Sequence, residues 1–193
     1  KKISREREMK KIVVAVDFSS GSIHALKYAI MIANRVKANI LMIWVDNTAS
    51  PESVYSGSVK DYRGEVIKRF NELVDEYQPQ LTGGKLEYKL RKGKIYNEIV
   101  NTARSKKADL IVTGSHGVSG FEEYWIGSNA NRIVGHASCP VVTVRNGFQI
   151  KDAIYKIVAP VDNNSHTLIK IPFITNLAKT FEAEVHLDRK SVV

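Results

Sequence analysis

Gly114-Ser115-His116-Gly117 is followed, after nine intervening residues, by Gly127-Ser128. Glycines lack a Cβ, so they let a backbone approach an anion closely and take positive φ where a turn needs it. If a helix opens at Ser128, its hydroxyl and the N–H groups of Ser128, Asn129 and Ala130 lie at the positive end of the helix dipole. The spacing therefore predicts an anion cradle suited to phosphate, against the plainer reading of a tight turn plus a helix cap. Asp17, at the end of an apolar run, can accept hydrogen bonds from ribose hydroxyls or simply cap the next helix. Ala15, Val16 and Val45 offer backbone and apolar contacts to a base, and Thr113 precedes the first glycine. His116 either touches phosphate or orders its loop. No neighbouring carboxylate orients it as a general acid.

Other phosphate motifs are missing. There is no G-x-x-x-x-G-K-[S/T] and no G-x-G-x-x-G after the first apolar run, which removes the P-loop and the usual dinucleotide fingerprint. His24, His136, His166 and His186 have no metal-ligand spacing and read as surface or capping residues. The lone Cys139 forbids an intrachain disulfide or a two-thiol zinc site, fits a reducing cytoplasm, and reads as a small buried hydrophobe. Trp44 and Trp125 read as packing residues, although Trp125 in the glycine loop can cover the site.

These residues need a scaffold. Lys11–Asp17, Asn39–Val45, Lys85–Leu90, Ala108–Gly114 and Pro140–Arg145 are short apolar runs of the kind found in strands buried in a parallel sheet. Helical periodicity lies between them, first with Ile23, Leu26, Ile30 and Ala33 behind a cap at Ser20 or Ser22, then over Val59–Tyr77. It recurs over Tyr96–Ser105, with Ile95, Ile99 and Ala103 on one face, and over Ser128–His136. Residues 46–58 form a long loop, a candidate lid. The alternation predicts an α/β fold: a doubly wound, open, parallel five-stranded sheet whose ligand site lies where winding reverses, between the first and fourth strands.

A shift of 145 residues lays Lys11, Ile12, Val13, Val16, Asp17 and Ser20 over Lys156, Ile157, Val158, Val161, Asp162 and Ser165. Residues 155–193 thus read as the first strand, helix and strand of a second copy, after a first domain over 11–147 and a basic extension over 1–10. Met9 reads as a natural start. Of the net charge of +9, much sits in residues 1–11, with six Lys and Arg against Glu6 and Glu8. No basic stripe interleaved with aromatics is visible, so nucleic acid is not an expected partner. No apolar run of about 18 residues is present in the sequence, so no membrane span is expected.

The opening KKIVVAVDFS, the GSHG element with its spacing to GS, and the closing CPVVTVR resemble the universal stress protein family across residues 10–146. The resemblance implies an adenine nucleotide alpha hydrolase-like domain that binds ATP, ADP or AMP, with or without Mg2+, and acts in stress responses. Adenine then falls near Ala15, Val16 and Val45 and ribose at Asp17. Phosphates fall at Gly114, Ser115, His116, Gly117, Gly127, Ser128 and Asn129, with Thr113 and Ala130 also in the nucleotide site. It also implies pairing of two chains through strand 140–145. A nucleotide-dependent regulatory factor acting on an unknown protein partner is the first reading. A slow ATP hydrolase or adenylyl transferase, and a nucleotide-free pairing module, are the alternatives.

Overall fold

The computed structural model describes residues 8–47, 59–115, 126–161 and 169–189. Expectations for residues 1–7, for the loop at 48–58, and for His116, Gly117, Trp125, Asp162, Ser165 and His166 lie outside these residues. The chain divides into two units, one of residues 9–149 and one containing 150–193.

In the first unit the order is β1 (Lys11–Ala15), α1 (Ser20–Val36), β2 (Asn39–Asp46), α2 (Val59–Tyr77), a 3-10 turn (Gln78–Gln80), β3 (Leu86–Lys92), α3 (Ile95–Ser105), β4 (Leu110–Gly114), α4 (Ser128–His136) and β5 (Val141–Val144). The five strands form one parallel sheet in the order β3-β2-β1-β4-β5. Apolar content tracks position. All of β4 and the centre of β1 are buried, whereas β3 and β5, at the two edges, are mostly half-exposed. A central parallel strand is covered on both faces and must be apolar throughout, which is why LIVTG and KIVVA read so clearly and LEYKLRK does not.

One face of the sheet packs Val13, Leu41, Ile43 and Ile111 against Ile99, Val100 and Ala103 of α3 and Ile133 of α4. Such side chains each contribute roughly 1.5–3 kcal/mol when fully buried. Phe70 of α2 is fully buried. Its ring stacks on Tyr88 of β3 with centroids 4.7 Å apart and meets Phe18 edge-on at 4.8 Å.

Several bounds move by one or two residues, with β1 ending at Ala15, β3 spanning Leu86–Lys92 and β5 Val141–Val144, and two further shifts have a local cause. The cap of α1 is Ser19, not Ser20 or Ser22, because Ser19 is the last residue with extended backbone (φ −69, ψ 157) and its Oγ accepts from Ser22 N at 3.2 Å. β4 starts at Leu110, not Ala108, because Lys107 takes a left-handed φ of 53° and Ala108 N still bonds Ala103 O at 2.8 Å, closing α3. Gly84, in the pair that follows α2, is needed for room. A Cβ there would lie 2.0 Å from the carbonyl oxygen of Ala38.

The second unit holds β6 (Lys156–Val161), α5 (Ile171–Phe181) and β7 (Glu184–Arg189). The strands are parallel, with Ile157 beside Val185 and Ala159 beside Leu187. Ala159 and Phe181 are buried, but Val158 and Leu187 stay 59% and 67% exposed.

Candidate functional site

Winding reverses between β1 and β4. From β1 the chain runs by α1 to β2 on one side, and from β4 by α4 to β5 on the other, leaving a crevice at their carboxyl ends. The described residues there enclose a cleft of about 380 Å3, within the usual size of small-molecule sites. Ala15, Val16, Asp17, Val45, Thr113, Gly114, Ser115, Gly127, Ser128, Asn129 and Ala130 all line it. They come from four separate stretches of sequence, and the fold brings them to one place.

Backbone pairing holds the rim. Val16 N donates to Ile43 O at 2.9 Å and Ser115 N to Val144 O at 2.8 Å, so the sheet ladder continues one residue past β1 and β4. Ser115 O then accepts from Gly127 N at 2.7 Å, which ties the end of β4 to the start of α4. Asn131 N donates to Gly127 O at 3.0 Å as the first bond of α4. The N–H groups of Ser128, Asn129 and Ala130 precede that bond and have no partner within the helix. Gly127 has φ −55 and ψ 148, so this glycine is not required for positive φ. What it contributes is the absence of a side chain beside those donors.

Asp17 is neither an isolated acceptor nor the helix cap. Its Oδ1 accepts from Ser19 N at 3.0 Å and from the Ser19 hydroxyl, while its own N–H donates to Ser22 Oγ at 3.3 Å. Phe18 between them is left-handed at φ 64°, a conformation uncommon for a bulky side chain. The Phe18 ring, anchored on Phe70 and lying 5.6 Å from the Arg69 guanidinium, holds that turn in place. Asp17 is the only charged group among the described lining residues.

The rest of the lining is mostly apolar, with Ile43, Trp44, Ile95, Ile99 and Ile133 joined by the buried Ser22. In the sequence Ile95 and Ile99 share one helix face and read as core residues. The usable signal was alternation and helical spacing, since Ile43 is two residues before Val45 and Ile133 three after Ala130. Trp44 also meets the Tyr62 ring at 5.8 Å, a packing contact.

Other candidates stand elsewhere. His136 Nδ1 lies 2.8 Å from Arg132 O, His186 Nε2 lies 2.8 Å from Glu184, and His24 contacts Phe148 O. Burial and, secondarily, the Asp109 carboxylate push the half-buried Cys139 thiol above its ordinary pKa, which keeps it protonated and poorly nucleophilic. Among the described residues no group of three His, Cys, Asp or Glu could hold a metal ion, and no helix is long and apolar enough to cross a membrane.

An open parallel α/β sheet with an apolar cleft at its switch point, closed by a glycine-bordered helix N-terminus, defines a doubly wound α/β domain. The sequence signature of the universal stress protein family matches residues 8–145, and the chain belongs to that family. Universal stress protein MJ0531 of Methanocaldococcus jannaschii is 34% identical over 148 residues, covering 72% of this chain and 84% of that protein. Universal stress protein YxiE of Bacillus subtilis is 29% identical over 145 residues, covering 70% and 98%. Among solved structures, a universal stress protein from Archaeoglobus fulgidus superimposes with TM-score 0.74 at 16% identity, over 96% of this chain and 69% of that one. A universal stress protein in complex with cAMP superimposes with TM-score 0.55 at 21% identity, over 73% and 100%.

Proposed function

We propose that the first unit binds ATP, or ADP or AMP, and acts as a nucleotide-dependent regulatory factor in a stress response. The observation that carries this reading is the division of the cleft into an apolar floor and a polar end. Ile43, Val45, Ile95, Ile99 and Ile133 suit a base, whereas the open N–H groups of Ser128, Asn129 and Ala130 at the start of α4 present donors to phosphates, with Gly114 and Gly127 leaving room beside them. Asp17 stands between as a ribose acceptor, prepositioned by Ser19 and Ser22. A Mg2+ ion would be carried on the phosphate oxygens. The cAMP-bound relative supports an adenine nucleotide as the ligand class. The proposal places this activity in the cytoplasm.

Mass spectrometry of the purified, denatured protein tests the proposal. Co-purified adenine nucleotide, or saturable ATP binding by calorimetry, is the expected result, and no binding of any adenine nucleotide would overturn it. Asp17→Asn removes the charge but keeps the shape. It should weaken binding by roughly 1.5–3 kcal/mol, the value of a charge-assisted hydrogen bond, read as about a ten- to hundredfold higher Kd.

We further propose that two chains pair through residues 140–145, and that 155–193 begin a second copy of the domain. β5 is an edge strand bonded only to β4 among the described residues, and its Val141, Val142 and Thr143 are half-exposed. The second unit repeats the parallel strand, helix and strand order of β1, α1 and β2. Val142→Lys should convert a dimer into a monomer in light scattering, and a parent that is already monomeric would refute the pairing.

A further inference from the structure

β3 closes the sheet on the side away from β5. It bonds β2 along Leu86–Lys92, and among the described residues no strand pairs with its outer side. Its residues alternate across the sheet, so Lys89 and Arg91 project on the same face, about 6.6–6.8 Å apart along the strand. Both are half-buried. Tyr88 lies on the opposite face, stacked on Phe70 of α2. Arg91 is held against α3, its Nε donating to Thr102 Oγ1 at 3.3 Å. Lys106, one turn past Thr102 and just beyond the end of α3, brings a third positive charge near Lys89.

Among the described residues no carboxylate forms an ion pair with Lys89, Arg91 or Lys106. The Lys89 ammonium is held below its ordinary pKa, first by the charge of Lys106 and then by that of Arg91. Sequence-adjacent Lys92 and Lys94 are exposed and extend the positive field. Glu87, next in the alternation, shares the face of Lys89 and Arg91 and ends the cationic row, so the strand presents one acid followed by two bases on this face.

We propose that the β3 edge, with its row of Lys89, Arg91 and Lys106, is a docking surface for an extended acidic peptide that adds as a further strand. Cations on an edge strand ordinarily keep two identical edges apart. A partner strand with carboxylates at alternate positions turns that repulsion into attraction, because its i, i+2 spacing equals that of Lys89 and Arg91. The open backbone edge favours a polypeptide over a nucleic acid. Peptide N–H and C=O groups complete a ladder that phosphates cannot, and the row presents no aromatic for a base to stack on.

The probe is a blocked, fluorescent peptide of alternating Glu and Thr, titrated into the full chain and followed by anisotropy and by amide hydrogen exchange of β3. Saturable binding is expected, with slowed exchange in residues 86–92. The double variant Lys89→Glu/Arg91→Glu should bind at least about tenfold more weakly. Lys106→Gln, which leaves the strand untouched, should weaken binding about threefold, so the outcome does not depend on the double variant folding. Absence of peptide binding would overturn the proposal. So would equal binding of an isocharged peptide with proline at every second position, preference for an oligothymidylate of the same charge, or unchanged affinity in Lys106→Gln.

Discussion

Gly127→Val is expected to lower the affinity for ATP at least about a hundredfold, close to 2.7 kcal/mol, without unfolding the domain. Gly127 sits at φ −55 and ψ 148, a backbone region that valine occupies without strain. The branched side chain would stand beside the N–H groups of Ser128, Asn129 and Ala130, which are the donors the phosphates need. Valine is also a poorer N-cap than glycine, at a cost of about 1 kcal/mol. That is small against the stability of a domain with this core. Calorimetric titration with ATP and far-UV circular dichroism read the two effects separately. Retained affinity with an intact fold would show that the cradle at α4 does not carry the nucleotide.

Phe70→Ala should destabilise the first unit by about 3–5 kcal/mol, the usual range for deleting a fully buried aromatic ring. Two losses coincide. The stacked Tyr88 ring and the edge-on Phe18 ring each lose their partner, and such aromatic pairs add about 0.5–1.5 kcal/mol beyond burial. Phe18 then has less to hold its left-handed backbone, so the Asp17–Ser19 turn at the cleft loosens as well. Thermal denaturation should show a fall in Tm of about 6–20 °C. ATP affinity should fall too, although Phe70 does not line the cleft. A variant with unchanged Tm would mean that α2 is not packed on β3 as described.

Much of this protein was legible in its sequence because the relevant constraints are local. β1 and β4 are buried on both faces and so announce themselves as unbroken apolar runs, and α2 matches its apolar periodicity at both ends, Val59 and Tyr77. The glycines at 114 and 127 with Ser128 predicted a phosphate-type cradle, since close backbone approach and a free helix terminus depend on residue type and short spacing alone. β5 could likewise be expected at an edge as the last strand of the alternation.

What the tertiary structure decided are contacts between residues distant in the chain. The apolar floor of the cleft joins Ile43 from β2, Ile95 and Ile99 from α3 and Ile133 from α4. Each has an ordinary core pattern in sequence, so nothing local separates a floor from a core. The role of Asp17 turned on geometry, because whether it caps α1 or braces Ser19 depends on where extended backbone ends. The basic patch at β3 arises only when the end of α3, held to Arg91 through Thr102, brings the Lys106 charge near Lys89, since charge along the chain does not report charge across a sheet edge.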